Sequence, residues 1–599
     1  MCGLAGILRL DDDAPPIDPD DLARCRDAMR ARGPDGEGLW IAPSGRVGLA
    51  HRRLAILDLS DAGLQPMADA SGRYRVVLNG EIYNFRELRA ELGAAGVRFR
   101  SQSDTEVLVE LWARHGTDTM ARLRGMYAFA MWDDRDRELV LARDPYGIKP
   151  LYYSVAGGRM RFASQVRALE LARDVPDDVE PAGLVGFLLW GSVPEPWTLR
   201  RAVRAVPAGH YVVARAGRVG PPVAHYDFGR LPEPGAADPA VALEDSVRAH
   251  LVSDVPVAVF LSAGLDSSLI AALARRAVDE PPVTLTLRFD AYRGTPLDEA
   301  PLAAEIARAI GTRHVERSVG RDDFLDLWPN AIAAMDQPSI DGFNTFVVSR
   351  VAHEQGIKVV LSGLGGDEIA GSYPSFRDVP RWSAWARRLG RVPGLGLLWP
   401  AIARSLRPDQ RKLAGILDHA RTPQGAYFLR RGLFLPEEIP AVVGAAIARQ
   451  GLAAYDPAAD AGKHLGHDGR RSDGWVAVHV MESSQYMRNQ LLRDSDWASM
   501  AHSLELRVPL VDVRLREALA RARFEPARSQ GKAELVRRAA PELPDAVWTR
   551  PKSGFSIPVS EWIDPEVRPQ TPRGLASRSL ALRVLGEFGV PLDPARSER

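Results

Sequence analysis

The stretch Val259–Leu273, VFLSAGLDSSLIAAL, decides how the second half of the chain is read. An apolar run of strand character ends at Leu261, small and hydroxylated residues fill Ser262–Ser268, and apolar residues then recur at helical spacing. Small residues let the backbone fold tightly, so that its N–H groups and the helix N-terminus can face phosphate oxygens. Ser262, Ser267 and Ser268 add hydroxyl donors. Asp266 would repel a bare phosphate, which points to a divalent cation between carboxylate and phosphate. No Gly-Lys-Ser/Thr follows, so this is not the common P-loop. A plain strand-to-helix turn capped by Asp266 or Ser267 is the alternative reading.

A second strand ends in the same way, at VVLSGLGGDEIAGSY, where Ser362, Gly363, Gly365 and Gly366 form another tight loop followed by the adjacent carboxylates Asp367 and Glu368. Open α/β sheets bind ligands at the carboxyl ends of their strands, and an ATP pyrophosphate held with Mg²⁺ accounts for both loops. The surrounding pattern agrees. A helix over Ala240–Ser253 leads to strand VPVAVFL, a helix from Ser268, strand PVTLTLRF, helix LDEAPLAAEIARAIG, strand RHVERSV and strand IKVVLSG. Strands alternating with helices predict α/β structure with a parallel, doubly wound sheet.

Toward the N-terminus the rhythm is different. RVGLAHRRLAILDLS, RYRVVLNGEIYNF, GMYAFAMWD, RELVLARD and LYYSV read as short strands, interleaved with helical patterns DLARCRDAMRARG, FRELRAELGAAG and SDTEVLVELWARHG. This predicts an α+β domain, an antiparallel β-sandwich with flanking helices, over residues 2–216. A Pro/Gly-rich connector covers 217–239, and a second domain covers 240–599, with an Arg/Ala/Leu-rich helical insertion at 377–485.

Bulk properties narrow the function classes. With 599 residues, 46% hydrophobic and 26% charged, the composition is that of a multidomain globular protein. A formal net charge of zero gives no reason to expect nucleic acid or an anionic membrane as partner. The two cysteines, Cys2 and Cys25, make no disulfide framework and suit a reducing cytoplasm; Asp11–Asp13 interrupt the apolar start, unlike a signal peptide. Basic residues are overwhelmingly arginine, and the six lysines are Lys149, Lys358, Lys412, Lys463, Lys532 and Lys552. Where arginine does most surface work, a retained lysine suggests a task for a compact ammonium.

Cys2 completes the picture. A small second residue permits removal of Met1, which would leave one residue carrying both a thiol and an α-amine near neutrality. Together with MRARGPDGEG, HRRLAILDLS, QPM, LNGEIYNFRELR, SDTEVL, GMYAFAMWD and ARDPYGIKPLYY, the stretch MCGLAGI resembles the class II glutamine amidotransferase domain of glutamine-hydrolysing asparagine synthetases. SAGLDSS resembles the SGGxDS loop of ATP pyrophosphatases, and LSGLGGDEIAGSY the second loop of the same synthetase family.

The resemblance implies an Ntn-hydrolase glutaminase and an ATP-pyrophosphatase synthetase in one chain. Cys2 would attack the glutamine amide, with its own α-amine moving the proton. Asn79 and Gly80 match the oxyanion hole. Arg53 matches the arginine that pairs with the substrate carboxylate, Leu54, Ala55, Ile56 and Leu57 line the glutamine site, and Glu81 and Asp104 match the acids that hold its ammonium. Read alone, Asp104 looks like the N-cap of helix TEVLVEL. Cys25 reads as structural. Ser262, Gly264, Asp266 and Ser267 would hold pyrophosphate, Leu261, Leu287, Ser362 and Gly363 would meet ATP, and Asp266 and Asp367 would carry Mg²⁺. Lys532 matches a catalytic lysine of adenylation, Lys552 lies in a family motif without a derivable role, and LELRVPLVD matches a segment that looks structural. The implied chemistry is amidation of an acyl-adenylated aspartate with release of AMP and pyrophosphate, the ammonia crossing an interior channel. Glutamine, ATP and an acid are the implied small-molecule partners, and a homodimer is the macromolecular partner left open.

Two departures bear on this. The family places Gly where Ala263 stands, a methyl accommodated if that residue keeps φ below zero. Leu364 stands where the family has an acid, so a different carboxylate in a biosynthetic or cell-envelope pathway is the alternative acceptor. A non-catalytic binding descendant is the third reading, disfavoured by the retention of Cys2, Arg53, Asn79, Asp104, Asp266 and Asp367.

Overall fold

The computed structural model describes residues 2–395, 398–399, 408–466, 473–550, 559–563 and 573–590. Lys552 lies outside them.

Two antiparallel sheets build the N-terminal part. In the first, strands run in the order Val203–Ala205, Tyr152–Ala156, Arg159–Ala163, Gly3–Arg9, Val47–Arg53, Gly36–Ile41; in the second, Arg218–Val219, His210–Arg215, Glu138–Arg143, Gly125–Asp133, Tyr74–Ile82, Met67–Ala68. Leu4, Leu49 and Phe162 of the first sheet share one core with Val77, Trp132 and Leu141 of the second. The outer faces are covered by helices: Leu22 and Cys25 of Pro19–Asp27 pack on Ala5 and Ile7, and Leu108 and Trp112 of Asp104–His115 pack on Leu78 and Phe129. This layering puts residue 2 at the head of a central strand, with Gly3 opposite Arg52 in register. Within the Pro/Gly-rich stretch, Arg218–Val219 and the two-residue strand Val223–Ala224 both pair with His210–Arg215.

The C-terminal sheet is wholly parallel, in the order Arg313–Val319, Val283–Phe289, Val257–Phe260, Val359–Leu361, Glu505–Arg507. Strand order therefore reverses between Val257–Phe260 and Val359–Leu361, and the loops that follow these two strands flank the crevice where α/β sheets bind ligands. The readings of these strands held to within a residue or two at most ends; strand IKVVLSG is trimmed to Val359–Leu361. The stretch 377–485 is mostly helical where described, including Pro423–Arg431, Ala445–Ala454 and Gly474–Met481. It runs into an 11-residue π-helical segment, Glu482–Leu492. No described helix is long and apolar enough to cross a membrane.

Three local expectations are corrected. The helix after the first loop starts at Leu265, not Ser268, with Gly264 at its cap, so Asp266 and Ser267 lie in its first turn and neither caps it. The helix of SDTEVL is capped by Ser103, whose side chain accepts from Thr105 N, leaving Asp104 as its first residue. Ala263 has φ of 54°, so the condition under which its methyl costs nothing is not met.

Candidate active sites

Cys2 is buried, and its backbone N donates to Asn79 Oδ1 at 3.1 Å. The turn after Pro19–Asp27 brings in Arg32, whose Nε donates to the Cys2 carbonyl at 3.1 Å. The Asn79 side chain thus holds the Cys2 nitrogen, while its Nδ2 faces Ser164 Oγ at 3.4 Å. Gly80 has φ of 146°, and a Cβ there would come within 2.0 Å of Met126 O, so only glycine fits at this position. Burial pushes the Cys2 thiol up, and the carboxylates of Glu81 and Glu505 add to it.

Arg53 closes a small loop on itself. Its Nη1 donates to Ser60 O at 2.7 Å and its Nη2 to Leu57 O at 3.3 Å and to Asp58 O, which folds Leu54–Leu57 around the guanidinium. Asp104 accepts from Ile82 N at 2.9 Å, and burial raises its pKa to about 6. Glu81, also buried, is pushed well up by burial and then by the charges of Glu505 and Asp104. Cys2, Asn79, Gly80, Glu81 and Asp104 are therefore one neighbourhood. Cys25 sits in a hydrophobic core, its thiol pushed up by burial to about 11.

Sequence reasoning missed what the other half of the chain contributes here. Glu505 and Arg507, on an edge strand of the parallel sheet, reach the acids beside Cys2; Arg507 Nη2 lies 3.7 Å from Glu81 Oε1. Asp496 takes Arg32 in a two-pronged pair at 2.7 and 3.0 Å, with Lys149 Nζ at 3.7 Å. The segment LELRVPLVD, read as structural, is thus part of the domain seam: Asp512 also accepts from Arg124 Nε at 2.8 Å. No signal local to that segment carries this information.

The second site is a cavity of about 400 Å³ at the strand-order reversal. Leu261, Ser262, Gly264, Asp266, Ser267, Leu287, Ser362, Gly363, Asp367 and Lys532 all line it. The two loops interlock: a Cβ at Gly363 would sit 2.9 Å from Ser267 N, and one at Gly366 2.0 Å from Asp266 Oδ1. Lys532 Nζ donates to Asp367 Oδ1 at 2.7 Å and to Asp266 Oδ2. Burial disfavours the Lys532 ammonium, but the two carboxylates outweigh it and hold its pKa above the ordinary lysine range. Leu364 lines the same cavity, so its wall is apolar at that point. Arg550, which sequence reasoning passed over, also lines it; both terminal nitrogens lack a hydrogen bond among the described residues, and Nη2 lies 3.5 Å from Glu299.

Two carboxylates converging on one cation are a donor set that suits Mg²⁺, which binds through one or two carboxylates together with substrate phosphates. Among the described residues no group of three or more His, Cys, Asp or Glu could hold a metal by itself. The arrangement has two separate parts: a buried thiol whose own backbone N–H is held by Asn79, and a cavity with paired carboxylates and a lysine.

Residues 1–226 match the glutamine amidotransferase domain family and residues 240–585 match asparagine synthase. A Mycobacterium tuberculosis protein is 34% identical over 574 residues, covering 90% of this chain and 84% of the relative. Asparagine synthetase [glutamine-hydrolyzing] 1 of Bacillus subtilis is 30% identical over 582 residues, covering 95% and 88%. A solved glutamine phosphoribosylpyrophosphate amidotransferase from B. subtilis aligns at 17% identity and a TM-score of 0.30, over 62% of this chain and 77% of that one. The chain belongs to the glutamine-hydrolysing asparagine synthetase family.

Proposed function

We propose that the chain makes asparagine from aspartate, with glutamine as nitrogen donor and ATP as activator. The observation that carries this reading is the pairing in one chain of the Cys2–Asn79 site with the Asp266–Lys532–Asp367 cluster of the nucleotide cavity. The N-terminal sheets are read as an Ntn-type sandwich and the C-terminal sheet as doubly wound, in a cytoplasmic enzyme.

At the first site, removal of Met1 frees the amine now directed at Asn79, and that amine takes the thiol proton as sulfur attacks the glutamine amide carbon. Gly80 N–H and the Asn79 amide receive the charge forming on oxygen. Arg53 holds the substrate carboxylate, the Leu54–Leu57 loop lines the site, and Glu81 with Asp104 holds the ammonium. Water then releases glutamate from the thioester, and ammonia moves inward.

At the second site, Ser262, Gly264, Ser267 and the helix start at Leu265 cradle the pyrophosphate, while Leu261, Leu287, Ser362 and Gly363 seat the nucleotide. Asp266 and Asp367 would hold Mg²⁺, which when bound supplies positive charge against the phosphates. Lys532, held between those carboxylates, stands ready to stabilise charge as the acceptor carboxylate attacks the α-phosphorus and pyrophosphate leaves. Ammonia then displaces AMP from the acyl-adenylate.

Cys2→Ala tests the coupling. We expect glutamine-dependent amide formation to fall by on the order of 10³-fold or more, while ammonia-dependent formation with AMP release persists. Equal glutaminase rates in variant and wild type would overturn the thiol mechanism. Leu364 favours a second reading, amidation of another carboxylate, because a leucine in the cavity wall can neither bind an ammonium nor accept a proton. ATP-dependent glutaminase without asparagine formation would select it.

A further inference from the structure

The loop Leu54–Ser60 is neither helix nor strand, so each of its buried backbone groups needs a partner of its own. Arg53 serves three of its carbonyls, those of Leu57, Asp58 and Ser60. The loop is also held from the C-terminal half of the chain. Asp254 N donates to Ile56 O at 3.0 Å, and Asp58 N donates to Asp254 Oδ2 at 2.8 Å. Asp254 thus closes a two-bond clasp on Ile56–Asp58. A second tie runs through Asp35, whose Oδ2 accepts from Ala55 N and from Lys358 Nζ, each at 2.8 Å. The clasp holds a strained turn, since Asp58 has φ of 50°, a left-handed conformation that persists where the surroundings fix it.

Both anchors stand where strands of the parallel sheet begin. Asp254 lies three residues before Val257–Phe260, and Lys358 directly precedes Val359–Leu361. These strands pair in register, Val257 with Val359, and the loops at their far ends line the nucleotide cavity. At its own start the loop meets the thiol: a backbone hydrogen bond from Leu54, two residues from the clasp, acts on Cys2 and favours its ionised form. The two anchors are unequal. The Lys358 side chain is 38% exposed, so its ion pair with Asp35 contributes little. Asp254 is exposed as well, but it serves the backbone N–H of buried Asp58, and a buried donor left without an acceptor costs more.

We propose that Asp254 is a positioning residue for the glutamine site, fixing the loop Leu54–Ser60 from the nucleotide-binding half, with Lys358 as a weaker second anchor through Asp35. This rests on reading Leu54–Leu57 as a wall of the glutamine site. Asp254 acts through Ile56 and Asp58, so its loss loosens the hold on glutamine and leaves the thiol chemistry in place.

The test uses the full chain and the variants Asp254→Ala, Asp254→Asn and Lys358→Met, with melting temperature as a folding check. In Asp254→Ala, KM for glutamine in glutamate release should rise about fivefold or more, with kcat within about twofold of wild type. Asp254→Asn keeps an acceptor oxygen for Asp58 N and should restore KM to within about twofold, while Lys358→Met should fall between. An unchanged KM in folded Asp254→Ala overturns the proposal, and so does an equal rise in Asp254→Asn. Equal losses of glutamine-dependent and ammonia-dependent amide formation also overturn it, since Asp254 would then only hold the two halves together. Hydrogen exchange needs no turnover and separates these outcomes from failure of the functional reading. If wild type releases no glutamate, the amides of residues 54–60 decide. Exchange about fivefold faster in Asp254→Ala, with residues 262–268 unchanged, supports the anchor; equal exchange in variant and wild type overturns it.

Discussion

In the proposed glutamine site, Asp104 would carry a negative charge in a place that disfavours one. Burial lifts its pKa to about 6, even though Ile82 N and Ser103 stabilise the charged form. An acid with a raised pKa is neutral below that value, and a neutral Asp104 cannot hold an ammonium. Glutaminase kcat/KM should therefore fall about tenfold per pH unit below about 6, while the plateau lies above it. Asp104→Asn removes this limb and, by deleting a like charge, lets Glu81 titrate lower. A pH profile of glutamate release checks both; a limb that stays at the same pH in the variant assigns it elsewhere. The lysines show the same logic in reverse. Of six in the chain, Lys532 sits between two carboxylates, Lys149 is buried beside Asp496, and Lys412 lines a cavity together with Arg430 and Arg431. Scarcity made lysine worth noticing in the sequence. The geometry gave these three positions a setting.

At the scale of the element, the loop Ser262–Ser268 holds its shape against a conformational penalty. Ala263, at φ of 54°, occupies the left-handed region that glycine enters freely. The left-handed conformation costs an L-residue roughly 1–2 kcal/mol, so Ala263→Gly should stabilise the chain by about 1 kcal/mol, less the entropy glycine loses on folding. Denaturant unfolding measures this; a lower midpoint in the variant would show that the Ala263 methyl, which is buried, contributes more by packing than it costs in backbone strain. The strand and loop identities here were legible because they are local: an apolar run, a string of small residues and a carboxylate encode a ligand turn within ten positions. Helix starts were less legible. Leu265 rather than Ser268 opens the helix because Gly264 supplies the cap without a side chain, and Ser103 displaced Asp104 because its hydroxyl reaches Thr105 N. The cavity that Lys412, Arg430 and Gln485 line was not legible at all, since they look like surface residues of a helical stretch until three segments fold together.

Across the whole molecule, the glutaminase site is finished by the other half. Arg32 binds the Cys2 carbonyl with Nε and gives both terminal nitrogens to Asp496, which is 464 residues away in sequence and 5% exposed. The Cys2 backbone is therefore tied through one guanidinium to the helix Arg493–Met500, which continues directly from the π-helical segment Glu482–Leu492. Asp496→Ala removes one member of a buried pair and leaves Arg32 and Lys149 facing each other without their shared anion. Breaking such a pair costs about 3–5 kcal/mol. Glutaminase kcat/KM should fall by at least tenfold although the substitution lies in the synthetase half, whereas Asp496→Asn, which keeps two polar atoms in place, should lose less. The decisive comparison is between glutamine-dependent and ammonia-dependent amide formation in the folded variant. A tie that positions Cys2 lowers the first far more than the second, whereas a seam that only holds the domains together lowers both in proportion.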